Sequence, residues 1–350
     1  MPLSRRTQIG LRYIRNVVVI ACIIGPIFSM ATGEGPISTD ALHGLVDGAL
    51  IALSIGAYAG LLKNGPLRGF FRRRTFTQGV FINACVYLAL LLTSRALGQF
   101  IVTGDSVRFI ASFSDDGLLT TLPFGFAVAF IIEFIVQMNR MVGANVLRYF
   151  ITGAYHHPKQ EERVFLFLDL KGSTKLTETL GSAKYYALLR QFVDLLSDPI
   201  LETYGTIHEY AGDEVVITWS QELGYKNANC IRCYFMIEDA VNHAAASFER
   251  EFGVVPQFRA GLHGGPVVTG ELGDIHQEIV YVGDILNVAA RLEEYAKQHD
   301  CRLLTSGAVL SAIQLPSDLE AISLGDFQPR GKESCVAIFR VDRKRFQPIM

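Results

Sequence analysis

Four apolar segments crowd the first 140 residues, near 17–31, 45–62, 79–102 and 118–138, and they limit what this part of the chain can become. Three approach the ~20 residues that carry a helix across a bilayer core, and the first is shorter and carries Pro26. Hydrocarbon offers no water to backbone N–H and C=O groups, so such segments satisfy them internally as helices. Four spans return the chain to its starting side. Arg5, Arg6, Arg12 and Arg15 precede the first segment, and Lys63, Arg68, Arg72, Arg73 and Arg74 fill the loop between the second and third. Residues 32–44 hold no Lys or Arg, and the loop after the third segment sets Arg108 against Asp105, Asp115 and Asp116. By the positive-inside rule both termini face the cytoplasm, which makes this a multi-pass protein of the inner (plasma) membrane, embedded in the lipid bilayer, with an intracellular C-terminal half. The alternative is a signal sequence at the first segment, which leaves three spans and puts the C-terminal half outside. Asp47, Arg95 and Glu133 sit within or at the ends of spans, where charges pair, face a cavity or reach the interface. A sensing role and a plain helix-pinning role both fit them. His43 is alone, so paired-histidine haem ligation finds no support.

The spans explain a chain that is 50% hydrophobic and only 19% charged. A net charge of -2 lacks the basic excess of a phosphate-binding surface, so nucleic acid is not an expected partner. The six cysteines are scattered, and Cys230-x-x-Cys233 has no second pair to complete a zinc site, so all six read as reduced thiols. Residues 1–16 form an N-terminal cytoplasmic segment, 17–138 the four-helix membrane domain and 139–163 a linker. Val142, Val146, Leu147 and Phe150 recur there at helical spacing, which predicts a short stalk helix ended before the next strand by Pro158. His156 and His157 are either metal ligands or solvated linker residues.

From residue 164 to 342 strands and helices alternate as in a single α+β domain, followed by a tail over 343–350. Val164-Phe-Leu-Phe-Leu-Asp169-Leu170 is a strand ending on a carboxylate before the turn Lys171-Gly-Ser-Thr174. A hairpin over 209–219 carries Asp213 at its tip. Two strand-end aspartates offer hard oxygen ligands to a divalent cation, but Gly-Asp is also an ordinary turn pair, and these residues alone leave both readings open. Helices are predicted near 182–196, 227–252 and 285–299, and further strands near 257–263, 279–282, 302–305, 321–327 and 336–341.

Four blocks then occur in order: Phe167-Leu-Asp169-Leu-Lys-Gly172-Ser-Thr174, Gly212-Asp213, Arg259-Ala-Gly261-Leu-His263-Gly-Gly-Pro266, and Gly283-Asp284-Ile-Leu-Asn287-Val-Ala-Ala-Arg291. Together they resemble the class III nucleotidyl (adenylate/guanylate) cyclase family, in a membrane-anchored bacterial form. The resemblance implies a ferredoxin-like βαββαβ core behind the α-helical four-span domain. It implies a site that closes ATP to 3',5'-cyclic AMP and pyrophosphate, with two Mg²⁺ per site and Mn²⁺ able to substitute. Asp169, Asp213 and the carbonyl of Leu170 then match the metal ligands. Gly172, Ser173, Thr174, Ala211 and Gly212 line the substrate. Asn287 orients the ribose, Arg291 stabilises the transition state and Lys332 contacts phosphate. Family geometry divides these residues between two chains, so the resemblance also implies a homodimer with shared active sites.

Base selection departs from the family's pattern. Glu209 stands where adenylate cyclases carry Lys, and Val280 stands where Asp or Thr is usual. Guanylate cyclases place Glu at the first position, yet Val280 lacks the polar group that completes guanine recognition, and ATP is the expected substrate. The alternatives are a guanylate cyclase, a diguanylate cyclase suggested by Ala211-Gly-Asp213-Glu-Val215, and a non-catalytic nucleotide-binding sensor. The Asn287 to Arg291 block argues against the second.

Overall fold

The computed structural model of the chain describes residues 4–32, 37–63, 65, 67–72, 74–104, 126–127, 130–131, 133–134, 138, 149–150, 152–275, 277–328 and 335–344. The chain divides into two compact units, Met1–Gly143 and Ala144–Met350.

The first unit holds α1 (Arg5–Thr32), α2 (Ile37–Ala57), a π-helical turn Tyr58–Leu62, the short α3 (Arg68–Arg72) and α4 (Phe76–Thr103). Three of its helices are long and apolar enough to cross a membrane, over Arg5–Ile27, Ala41–Leu62 and Phe76–Val102. Two thirds of the predicted fourth span, 118–138, lies outside the described residues. Helix α1 begins well before the apolar segment and runs through Pro26, where one ladder bond is lost and the helix continues on either side. Local chemistry sets the ends of α4. Thr75 accepts from the Gln78 N–H while the Gln78 side chain accepts from the Thr75 N–H, and Gly104 ends the helix at φ 66°. Lys63, counted in the sequence as a loop cation, is instead buried in an ion pair with Glu133. Asn83 Nδ2 (3.0 Å) and the Tyr87 hydroxyl (3.2 Å) also donate to Glu133, and Tyr58 donates to Asn83 Oδ1 at 2.6 Å. A fully buried carboxylate is tolerable only with such donors.

The second unit carries β1 (Lys159–Leu170), α5 (Ser173–Leu180), α6 (Ser182–Glu202), β2 (Thr206–Ala211), β3 (Glu214–Ser220) and α7 (Gln221–Tyr225). Then come α8 (Asn229–His243), α9 (Ala245–Phe252), β4 (Phe258–Leu272), β5 (Glu278–Val282) and α10 (Asp284–Gln298). The chain closes with β6 (Leu303–Ser306), α11 (Gly307–Ala312), β7 (Leu319–Phe327) and β8 (Val336–Arg343). All eight strands form one mixed sheet in the order β2-β3-β1-β4-β6-β8-β7, with β5 added to β4.

The sheet explains why β1 reads as an unbroken apolar run: it is central and covered on both faces. Val164, Leu166, Leu168 and Leu170 point into a core with Leu188, Phe192 and Leu196 of α6, Ile231 and Tyr234 of α8, and Phe248 of α9. Phe165 and Phe167 point the other way, against Val216, Val267 and the α10 residues Ile285 and Ala289. Trp219 seals one end, its indole N–H donating to the Thr203 carbonyl at 2.9 Å.

Several expectations shift. Strand β1 starts at Lys159, five residues inside the predicted linker, because β4 runs on to Leu272 and pairs with it from Lys159↔Thr269 to Leu170↔Phe258. Pro158 therefore directly precedes a strand. The helix predicted over 227–252 is broken: Asn227 and Ala228 take positive φ before α8, and the chain kinks at Ala244 before α9. The turn at Lys171–Thr174 is shorter than predicted, and helix α5, missed in the sequence, begins at Ser173. All six cysteines are free.

Candidate active site

The β1–β3 register ends at Leu168↔Val215, so Asp169 and Leu170 run out beside the β2–β3 turn. That turn is two residues long, Gly212-Asp213, between the paired Ala211 and Glu214. Gly212 takes φ 68°, which a side chain would resist, and so it allows the tight reversal that puts Asp213 beside the end of β1. Neighbouring Asp213 and burial together push the Asp169 carboxyl above its ordinary value, burial being the larger cause. Asp213 Oδ2 is buried and has no hydrogen-bond partner.

More acid converges here than the sequence suggested. Burial and then Asp169 push Glu214 up to about 7, with Glu209, Asp213 and Glu294 adding to the effect. Glu293 is likewise pushed up to about 7, by burial first and Asp169 second. Arg259, paired with Asp169 across β1–β4, lies against both Asp169 (3.5 Å) and Glu293 (3.4 Å). Excess carboxylate around an orphaned oxygen suits a hard divalent cation with oxygen ligands. Among the described residues no three His, Cys, Asp or Glu side chains group as a metal cluster, so the two aspartates would need neutral oxygens to complete a shell.

Immediately after β1, Gly172 at φ 71° turns the chain into α5, and Leu176 N–H donates to its carbonyl at 2.9 Å. The first N–H groups of α5, at Ser173 and Thr174, lack helical acceptors and sit at the positive end of the helix dipole. Lys171 is held by an ion pair to Asp300.

Asn287 and Arg291 share one face of α10, as their spacing predicts, while Ile285, Val288, Ala289 and Leu292 face the core. Asn287 is exposed, and Arg291 forms an ion pair with Glu294 at 2.7 Å, one turn along the same helix. Neither makes a hydrogen bond or ion pair with Asp169 or Asp213 among the described residues. Lys332 lies outside the described residues. Glu209 is exposed on β2 just after a bulge, Val280 is half-buried on β5, and their neighbours His208 and Tyr281 bring the two strands together with ring centroids 4.9 Å apart. Arg259 and Glu293 went unassigned in the sequence. Arg259 stands in a quoted block, but no spacing rule aims β4 at Asp169 without the register.

Two aspartates thus stand at adjoining strand ends of a mixed α+β sheet, beside a glycine turn into α5, while α10 carries Asn287 and Arg291 on one face. The profile described as "Adenylate and Guanylate cyclase catalytic domain" matches residues 155–339, and the chain belongs to that family. It is 36% identical over 220 residues to "Adenylate cyclase 2" of Rhizobium meliloti (strain 1021), covering 63% of this chain and 61% of that protein. It is 28% identical over 187 residues to "Adenylate cyclase 1" of the same organism, covering 52% of this chain and 28% of that protein. The chain thus spans less than two thirds of these relatives. In fold it is similar to a bacterial light-regulated adenylyl cyclase, with a TM-score of 0.55 and 21% identity over 67% of this chain and 68% of that one.

Proposed function

We propose that the protein is a membrane-anchored adenylate cyclase that converts ATP to 3',5'-cyclic AMP and pyrophosphate. The observation that carries this is the nearness of Asp169 to Asp213, whose Oδ2 is buried without a hydrogen-bond partner, at one sheet end in a chain of the cyclase family. Mg²⁺ held by Asp169, Asp213 and the Leu170 carbonyl, two ions per site with Mn²⁺ able to replace them, would supply positive charge to the reacting oxygens. The N–H groups of Gly172, Ser173 and Thr174 donate to phosphate oxygens, and Ala211 and Gly212 line the nucleotide. The ribose 3'-hydroxyl releases its proton to water as its oxygen bonds to the α-phosphorus, the bond to the bridging oxygen breaks, and pyrophosphate leaves. Asn287 holds the ribose for that attack, and Arg291 and Lys332 oppose the charge that builds on the phosphates.

Exposed Asn287 and half-buried Arg291, unlinked to the aspartates of their own chain, support a homodimer in which each site joins the aspartates of one protomer to the helix α10 of its partner. The order β2-β3-β1-β4 supports a ferredoxin-like core extended at its C-terminal end. The three apolar helices support a multi-pass inner-membrane protein with a cytoplasmic catalytic unit, a fourth span following over 118–138. The membrane domain is read over 17–138 and the linker over 139–163, the last five residues of which join β1.

Glu209 on the exposed edge of β2 favours a second reading, a guanylate cyclase, since a carboxylate accepts from guanine N1 and N2. Purified full-length protein given ATP and GTP side by side with Mg²⁺ separates the readings. Cyclic AMP in excess, lost in Asp169→Ala, is the expected result. Cyclic GMP in excess would make the protein a guanylate cyclase, and no product from either would leave a nucleotide-binding sensor.

A further inference from the structure

Arg259 lies beside Asp169, and two carboxylates compete for it. Its side chain is 8% exposed, and the same Nε lies 3.5 Å from Asp169 Oδ2 and 3.4 Å from Glu293 Oε1. Neither approach is a formed hydrogen bond, for Arg259 Nε and Glu293 Oε1 are both buried without hydrogen-bond partners. The guanidinium therefore hangs between the two acids. Glu293 has no freedom to leave: its side chain is 8% exposed, and α10 presses its backbone onto β4 at Gly261, where an added Cβ would collide with Glu293 N and Ala289 O.

Packing gives no reason for a carboxylate here. Burying one costs more than burying an amide or a methylene chain of the same size, and the rest of that helix face is apolar. The charge has a use at Asp169. If Arg259 paired with Asp169 alone, its positive charge would occupy the oxygens that a divalent cation needs and would repel that cation. A second acid on the same nitrogen offsets both effects.

We propose that Glu293 is a positioning residue for Asp169: by drawing Arg259 to itself it keeps the Asp169 oxygens available to a divalent cation. The inference rests on the cyclase reading of Asp169 as a metal ligand and adds to it a charge balance built into α10, the helix that also bears Asn287 and Arg291.

The test is direct Mn²⁺ binding to full-length protein in detergent without nucleotide, read by electron paramagnetic resonance at about pH 8, where ordinary carboxylates are ionised. Glu293→Gln keeps the size and a hydrogen-bonding end, and it should weaken Mn²⁺ binding about tenfold, since an opposite charge released onto a carboxylate within a few ångströms acts on that scale. Arg259→Gln alone should bind more tightly than wild type, because the Glu293 charge is then uncompensated beside Asp169. The double variant should return to within about twofold of wild type, because the two changes cancel. Wild-type affinity in Glu293→Gln would overturn the proposal. So would a double variant as weak as Glu293→Gln, which would make Glu293 a ligand or a purely structural group. If Glu293→Gln fails to fold, tighter binding in Arg259→Gln supports the proposal and unchanged binding overturns it. Asp169→Asn separates the two levels: if wild type binds Mn²⁺ no better than Asp169→Asn, the metal reading beneath the inference fails.

Discussion

Replacing Gly261 with alanine tests whether the seat of α10 on β4 sets the catalytic geometry. A Cβ at Gly261 would fall inside 3.0 Å of Glu293 N and Ala289 O and at 2.9 Å from Leu292 C, all backbone atoms of α10. Backbone cannot rotate aside as a side chain does, so the helix must withdraw by roughly half an ångström or more to reach ordinary contact. Overpacking of this kind costs about 1–3 kcal/mol of stability. The larger effect falls on activity, because Asn287 and Arg291 ride on the same helix, and misplacing reacting groups by about 1 Å costs on the order of a hundredfold in rate. Gly270→Ala is the matched control on the same strand. Its Cβ would meet only Pro158, at 3.4 Å and beyond, which is ordinary van der Waals contact. Thermal unfolding and cyclase turnover of full-length protein, measured on both variants, give the answer. Gly261→Ala should fold with a lowered melting temperature and lose on the order of a hundredfold in kcat, with Gly270→Ala close to wild type. A Gly261→Ala enzyme with wild-type kcat would refute the claim that this contact positions the catalytic helix.

Two further outcomes follow from the proposed assembly. Asp213→Ala and Arg291→Ala should each be inactive, and their co-expression should restore roughly a quarter of wild-type activity, since about half of randomly paired dimers are mixed and each mixed dimer holds one intact site; heterodimers without recovered activity would mean that each site is built within one chain. Reporters fused after Met350 and within residues 64–74 should both behave as cytoplasmic, and periplasmic activity from either would contradict the proposed topology.

Apolar length and alternation are local properties, and they made much of this chain legible without coordinates. The three long apolar helices, the strand ending at Asp169, the hairpin carrying Asp213 and the four-residue spacing of Asn287 and Arg291 all follow from neighbours in sequence. What stayed hidden depends on contacts between distant residues. The extension of β1 back to Lys159 exists because β4 supplies partners about a hundred residues away, and no propensity in Lys-Gln-Glu-Glu announces a strand. The break before α8 is set by positive φ at Asn227 and Ala228, neither a glycine, which only the packing around them holds in place. Lys63 reads as one more loop cation until Glu133, seventy residues on, is found beside it. The same holds at the candidate site. The sequence named Asp169 and Asp213 by their places at strand ends, whereas the competition of Asp169 and Glu293 for Arg259 arises from the register of β1 on β4 and the close seat of α10 at Gly261. Register and helix seating are set by the burial of whole faces, and so only the tertiary structure could decide which charges meet.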